Sequence, residues 1–543
     1  MSKYFELIEG SFTQEYFDKQ KNQNPYIAYS LKDKTIIYNK PPKEDKIKLY
    51  LTFTALEDNC SIGFYNNPSS SLNPTIEYSF DKKTWSTLSD NVSIENGSSI
   101  YCRGLNPDGI SGGHGEGGYN YFTGVGKFNV SGNIMSLIDY KTWPETMVGT
   151  FYNLFGGKVG EPRDSFVDIV DASNLILSAK ILTADCYQRM FSACTSMIYG
   201  PQIKAESLAP YCFWGTFINC TSLITAPELP ATTLYTGCYY AMFSGCSSLT
   251  TAPKILPAVT LEPYCYQNMF TGCSSLIEAP ELPATTVAEN CCFSMFSGCS
   301  SLTTAPKILP ALTLESCCYQ SMFSGCSSLI ATPELPATTL AYWCYSYMFD
   351  GCSSLTTAPK ILPATTLGDT CCGYMFQNCS ALTAAPELPA TELTEQCYIN
   401  MFCGCSSLTT APELPATTLG NYCYFCMFSD CTSLTTAPKI LPAPKLMHEC
   451  YCSMFQNCSS LTTAPELPAA TLANRCYQTM FSGCESLNYI KCLATSTSAY
   501  NCTYNWVRGV SSTGKFVKHP DKSNWTIGIK GIPSGWDVED AIL

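Results

Sequence analysis

Residues 246–272 read CSSLTTAPKILPAVTLEPYCYQNMFTG, and the next 26, residues 273–298, read CSSLIEAPELPATTVAENCCFSMFSG. Aligned on the Met-Phe dipeptide, the same unit recurs at Met190, Thr216 (threonine in place of methionine), Met242, Met269, Met295, Met322, Met348, Met375, Met401, Met427, Met454 and Met480. The twelve units step by 26 or 27 residues. A fixed period of this size marks a solenoid, in which each unit buries its apolar face only against its neighbours. The 543-residue chain is therefore not to be cut into the three or four domains that about 150 residues apiece would give. Residues 181–487 form a single array.

Cysteine stands four positions before the methionine position in every unit, from Cys186 to Cys476, and four positions after it, from Cys194 to Cys484. These columns hold 24 of the 34 cysteines. Stacked one coil apart, at about 4.8 Å, their Cα atoms lie close enough for a bridge. Their parallel Cβ vectors nevertheless make the disulfide dihedral hard to reach, so they read as buried thiols serving as small hydrophobes. Phenylalanine follows the methionine position throughout, and Leu or Met stands third after the second cysteine, from Met197 to Leu487. L-T-T-A-P admits only a short strand, because proline offers no ladder N–H. L-x-x-x-C-Y-x-x-M-F places Leu, Cys, Met and Phe at helical spacing. The expected fold class is thus a repeat solenoid, with a short parallel strand and one helical turn per coil, behind an N-terminal all-β domain.

The 26/27 alternation arises where E-L-P becomes K-I-L-P. The charges Glu228, Lys254, Glu281, Lys307, Glu334, Lys360, Glu387, Glu413, Lys439 and Glu466 then follow one another along the array, with Glu387 beside Glu413 breaking the order. Charge pairing between coils, at about 0.2 to 1 kcal/mol for each exposed pair, and duplication of a two-repeat unit both account for it.

The run C-S-S-L-T-T-A-P-E-L-P-A-T-T-L followed by C-Y-x-x-M-F-x-G-C resembles the leucine-rich repeats of the BspA-like (Treponema pallidum type) family of bacterial surface proteins. The resemblance covers about residues 180 to 490 and implies a right-handed solenoid of leucine-rich-repeat type with roles in adhesion and recognition. The family's usual unit of about 23 residues is shorter, so its curvature does not transfer. The flanking GKFNVSGNIMSL, VDASNLIL, NCTYNWVRGVSSTGKFVKHP and GIPSGW are similar to segments accompanying such arrays in gut Bacteroides proteins and their phages.

Residues 1–45 read as a small attachment module, with a hairpin around Lys32-Asp33-Lys34. Residues 46–133 carry strand-like runs separated by Asn, Gly, Ser and Pro, which suggests a β-sandwich. Residues 134–180, whose FYNLFGG echoes Met-Phe-x-Gly, read as an N-terminal cap, and 488–543 as a C-terminal one.

Charged residues make up 14% of the chain, against about 25% in ordinary soluble proteins. A net charge of −13 and a pI near 4.8 argue against nucleic-acid binding, which needs a basic face. The first 30 residues lack an apolar signal core, and no run of about 18 apolar residues occurs. The expectation is therefore a protein made in the cytosol, with no membrane insertion. His114, His448 and His519 are scattered and form no zinc or Ser-His-Asp pattern. GGHGEGG at 112–118 lacks the strand-to-helix setting of a phosphate loop. Cys423-Tyr-Phe-Cys426 arises where one variable repeat position happens to be cysteine, and Asn219 lies in a sequon inside a repeat, where a glycan would clash. No catalytic, cofactor-binding or metal-ligating residue is expected, and no enzyme.

What remains is recognition. The residue before the first cysteine varies freely, as does the residue before methionine four positions on. In one unit both are aromatic, Trp343 and Tyr347, with Tyr342 adjacent and Tyr374 one coil further. These four are the candidate contact residues for a bacterial surface glycan or protein. Packing against a second subunit, in a homo-oligomer, is the competing reading. The expected carrier is a phage virion, as a fibre or host-recognition protein extracellular after host lysis and joined to other virion proteins through residues 1–45; a bacterial cell-surface adhesin is the alternative.

Because solenoid stability is approximately a sum over units and nearest neighbours, deleting Ser244–Phe270, one whole period, is expected to leave a folded, shorter protein. Deleting half of that segment is not. Circular dichroism melting distinguishes the two, and equal behaviour of both deletions would contradict the repeat assignment.

Overall fold

The computed structural model describes residues 27–30, 35–38, 49–112, 118–146, 150–156 and 167–542, in two units, Met1–Leu49 and Tyr50–Leu543. In the first, β1 (Ile27–Ser30) pairs antiparallel with β2 (Thr35–Tyr38), Ile27 opposite Tyr38. The Lys32-Asp33-Lys34 turn lies outside the described residues.

The second unit opens with two facing sheets built from β3 (Leu51–Ala55), β4 (Cys60–Tyr65), β5 (Ile76–Ser79), β6 (Ser86–Thr87), β7 (Val92–Ile94), β8 (Ser99–Gly104), β9 (Tyr121–Val125) and β10 (Lys127–Asn133). Strict alternation of buried and half-buried residues in β3 and β8 is the period of a strand with one face in a core. Strands β7-β4-β9 form one sheet. Phe122 on β9 meets Phe53 on β3 across the gap, ring centroids 5.0 Å apart. In the larger sheet β10 is antiparallel to β3 but parallel to β11 (Asp168–Leu177), which is parallel in turn to β12 (Gln202–Ile203). From β10 onward every ladder between coils is parallel, so the sandwich sheet runs directly into the solenoid. Helix α1 (Ser136–Asp139) is the one helix among the described residues.

Each coil then turns three corners of parallel pairing. Tyr199, Thr225, Thr251, Glu278 and Thr304 bridge in succession, Ile255 bridges Glu281, and Thr260–Leu261 pairs with Thr286–Val287. The strand expected at L-T-T-A-P is therefore a single bridged residue. The two-residue strands, β13 to β17 (Thr260–Leu261, Thr286–Val287, Thr313–Leu314, Thr339–Leu340, Thr366–Leu367), fall beyond the second proline, at the third corner. Leu249, Leu256, Ala258 and Leu261 point inward and are buried.

The fourth side of the coil overturns the expected helical turn. Over Tyr235–Cys246 the backbone makes overlapping β-turns. Cys238, Tyr240, Met242, Ser244 and Cys246 donate N–H to the carbonyl three residues back. The intervening Gly237, Tyr239, Ala241, Phe243 and Gly245 donate instead to Pro263, Cys265, Gln267, Met269 and Thr271 of the next coil. Gly237, Ala241 and Gly245 have φ of 59°, 50° and 76°, so every second turn carries a left-handed third residue, the signature of type II. The ribbon repeats every four residues, two facing in (Cys238-Tyr239, Met242-Phe243) and two facing out. A helix of 3.6 residues per turn would drift off a strict four-residue repeat; this ribbon does not.

Among the described residues fourteen coils share this geometry, the twelve units plus one from Phe151 and one ending at Gly509. Inside them the phenylalanines stack without a break from Phe155 through Phe191, Phe217 and Phe243 to Phe481, neighbouring centroids 5.2 to 5.8 Å apart. Phe151 starts a second stack through Tyr187, Phe213, Tyr239 and Tyr266. Cys292 and Cys372 interrupt it, and both stacks end on Trp506. Phe155 thus joins two parts of the molecule, since it also stacks on Phe122 of the sandwich. At the far end Trp525 covers Trp506. The strands β18 (Tyr489–Cys492), β19 (Lys515–Lys518) and β20 (Asp537–Asp540) finish the parallel sheet, and fully exposed β20 is studded with acids that pair with Lys515 and Lys518. Charge on an edge strand discourages pairing with another chain.

At Gly325 (φ 74°) an added Cβ would lie 3.6 Å from Gly298, an ordinary contact, so only the backbone penalty remains. Gly325→Ala is expected to cost about 1 to 2 kcal/mol and Gly325→Asn clearly less, asparagine tolerating the left-handed region. Urea unfolding midpoints measure both, and equal losses would contradict the turn assignment.

Candidate functional site on the turn ribbon

The variable positions are the left-handed ones. The residue before the first cysteine (Tyr264, Asn290, Trp343, Thr370, Tyr422), the residue before methionine (Asn268, Ser294, Tyr347, Tyr374) and the residue before the second cysteine all have φ between 50° and 78°. In the third column Gly, Asn or Asp fills eleven of twelve repeats, the residues for which this conformation is cheap. That composition was the signal for turns, and reading helical spacing alone passes over it. In the first two columns large side chains accept the conformation and project outward.

Trp343, Tyr347 and Tyr374 sit in these columns with φ of 59°, 57° and 61°, each half-buried, beside Tyr342, which is 50% exposed. Tyr347 and Tyr374 stack face to face, 4.3 Å between centroids and 5° between planes. Trp343 packs on Tyr342 at 5.4 Å, tilted by 38°, and its buried indole N–H has no acceptor. Burial, then the neighbouring Tyr374, pushes the Tyr347 phenol up to about 12. The tyrosine pair turns its faces on itself and offers edges and hydroxyls outward, whereas the tilted Tyr342–Trp343 pair does not close its faces in a parallel stack.

The ribbon carries two further clusters that residue spacing did not single out. Tyr211, Trp214 and Tyr240 meet at 6.0 and 5.7 Å with Arg189 over Trp214, and the Tyr211 ring occupies the space a Cβ would need at Gly237. Further along, Tyr422 meets Phe425 and His448. Cys423 and Cys426 are no metal pair, since Cys423 faces the core and Cys426 lies outward on the ribbon. Among the described residues no group of three metal-ligating side chains converges.

The charged ladder pairs as side chains only at its end, where Glu466 accepts from Lys491 of the adjoining coil at 2.5 Å. Among the described residues none of Lys254, Lys307, Lys360 and Lys439 forms an ion pair with the glutamate of the adjoining coil. The contacts run through the backbone: Glu281, Glu334, Glu387 and Glu466 donate N–H to the carbonyls of Lys254, Lys307, Lys360 and Lys439. Lys307 and Lys439 donate N–H to the carboxylates of Glu281 and Glu413 at 3.3 and 3.1 Å. Where Glu387 adjoins Glu413, both coils lack the extra residue, and a shallow groove of about 550 Å³ opens between Pro389, Pro412 and Pro415.

All 34 cysteines are free thiols. Those of the second column do more than fill space, because each donates its S–H to the phenylalanine carbonyl of the preceding coil, from Cys194 to Phe155 at 3.4 Å through Cys220 to Phe191 and Cys352 to Phe323 to Cys484 on Phe455 at 3.0 Å. From Cys246 to Cys484 burial raises their pKa, to about 12 at Cys299 and Cys484, which leaves them poor nucleophiles.

No protein-family model matches the chain, and no curated protein does. Among solved structures it is similar to a leucine-rich repeat protein from Bacteroides ovatus, at 18% identity over 67% of this chain and 88% of that one, with a TM-score of 0.36. It is also similar to TLR13 in its complex with ssRNA13, at 12% identity over 65% of this chain and 50% of that one, with a TM-score of 0.22. No helix among the described residues is long and apolar enough to cross a membrane.

A buried thiol whose folded pKa is raised contributes stability that is complete below its unfolded value, near 9, and lost as pH climbs through the folded value. With Cys238, Cys299, Cys450, Cys484 and Cys492 all pushed up to about 12, the protein is expected to unfold steeply between about pH 9 and 12. Thiolate absorbance and circular dichroism should change together; thiolates appearing at pH 9 in a folded chain would contradict the buried hydrogen-bonded thiols.

Proposed function

We propose that the protein is a non-enzymatic recognition protein that presents its turn ribbon to a bacterial surface glycan or protein. One observation carries this reading. The inward ladders hardly vary from coil to coil, while the outward left-handed positions vary freely and in several coils hold Trp or Tyr, for which that conformation costs more than for Gly or Asn. Backbone strain kept at chosen positions points toward a use for the side chains held there, and aromatic rings are frequent binding anchors. Trp343, with Tyr342 beside it, is the principal anchor of the patch, and Tyr347 with Tyr374 contributes hydroxyls at its edge.

The carrier is a phage virion, on which the protein serves as a fibre or host-recognition element. The sequence resemblance to arrays from gut Bacteroides and their phages supports this reading. A bacterial cell-surface adhesin is the second reading, from the same resemblance. Antibody labelling of purified particles and of intact cells under the electron microscope separates them.

The double variant Trp343→Ala, Tyr347→Ala is expected to lower attachment of the labelled protein to Bacteroides cells at least tenfold while leaving its melting temperature unchanged. Unchanged attachment removes the patch from the proposal. A change in oligomer size by light scattering assigns it to a subunit contact.

A further inference from the structure

We infer a second binding station on the ribbon, four coils wide, formed by Tyr422, His448, Glu449, Arg475 and Tyr500 and built to take a short glycan. The inference deepens the recognition reading above and rests on it. The five residues stand on neighbouring coils at or next to the left-handed position before the first cysteine, and they form a continuous run of contacts. The Tyr422 ring meets the His448 ring edge-on at 5.2 Å. The His448 Nε2 lies 3.3 Å from Glu449 Oε1, the Arg475 Nη1 donates to the same oxygen at 3.0 Å, and the Arg475 guanidinium lies over the Tyr500 ring at 5.6 Å. Three coil steps of about 4.8 Å give the station a length near 15 Å.

Its chemistry is ordered along that length. Aromatic rings stand at both ends, Tyr500 63% exposed, and between them lie a planar carboxylate and a planar guanidinium. A sugar ring presents C–H groups on its face and neighbouring hydroxyls on its rim. The faces pack on aromatic rings, while a carboxylate accepts from hydroxyls and a guanidinium donates to them through its fixed fork. The imidazole, with one donor and one acceptor when neutral, adds a third polar partner. A neutral glycan fits better than an anionic one, because Glu449 balances the one permanent positive charge.

Closing the coils does not require this ion pair. The same column holds Gly237, Asn290, Thr370 and Gln396 elsewhere, and those coils make the same backbone hydrogen bonds. Glu449 is 8% exposed and left-handed at φ 51°. A carboxylate is held there at a desolvation cost that an apolar or amide side chain would avoid. Between Tyr211 and Arg475, Glu449 and Arg475 are the charged residues of this column, and they are adjacent.

The test uses the full-length chain on a printed panel of neutral hexose and N-acetylhexosamine oligosaccharides. The wild type is expected to retain at least one of them. Tyr500→Ala and His448→Ala, neither of which leaves a buried charge unpaired, should each lower retention at least fivefold with the melting temperature unchanged. If the wild type attaches to Bacteroides cells but retains no member of the panel, the glycan assignment is overturned while the recognition reading stands. If both variants retain the oligosaccharide as the wild type does, the station is overturned. If the wild type neither attaches to cells nor retains any oligosaccharide, the recognition reading falls, and the station with it.

Discussion

Every second N–H along the ribbon is spent on the next coil, and the rest of the solenoid follows from that. The remaining N–H groups close turns within their own coil, so the backbone satisfies its donors in two directions at once. This division works only if the chain reverses its twist every fourth residue, which is what the left-handed positions do. It also requires the ribbon to have the same length in all coils. The two cysteine columns are accordingly eight residues apart in every repeat, while the extra residue that makes some coils 27 long sits at the K-I-L-P corner, away from the ribbon. A corner of prolines and single bridges absorbs an insertion. A ribbon whose alternate donors must meet a fixed register does not.

The interior obeys the same rule of repetition. Each inward position meets its own kind above and below, so the side chain chosen must pack well against itself. Phenylalanine stacked at about 5.5 Å does so, and so does cysteine, whose thiol is small and donates to a carbonyl of the coil before it. A carbonyl that already accepts a turn N–H thereby fills its second lone pair. This explains a cysteine content that would otherwise suggest disulfides, and it explains why so few charged residues are needed in a chain of this length.

Much of the fold was legible in the sequence, because periodicity survives translation into stacking directly. The Met-Phe register, the core columns and the free state of the cysteines follow from spacing and from the parallel Cβ vectors of stacked residues. The helical turn did not survive, and its failure is instructive. Cys238, Met242 and Cys246 are four apart, which suits one face of a helix as well as a four-residue ribbon, and periodicity cannot separate the two over eight residues. Gly, Asn and Asp before the second cysteine could have done so, since a left-handed residue at a fixed place is a turn signal. Of the two readings of the charge alternation, pairing holds at Glu466 with Lys491 and not at Lys254, Lys307, Lys360 or Lys439, where the corner brings the backbones of neighbouring coils together instead. The four candidate residues Tyr342, Trp343, Tyr347 and Tyr374 were all singled out from variability and residue type, whereas the closing of Tyr347 face to face on Tyr374 and the polar run around Glu449 depend on contacts between coils that no single repeat displays.

Phe155 belongs to both cores, touching Phe122 of the sandwich on one side and Phe191 of the first full repeat on the other, while β10 and β11 carry the sheet across the same boundary. Among the described residues such a boundary offers no hinge. Bending there would have to unstack aromatic rings and break a parallel ladder together, so a load applied along the array passes into the sandwich as shear spread over many hydrogen bonds. The direction of the sandwich sheet is accordingly handed on, ladder by ladder and ring by ring, to every coil out to Trp525.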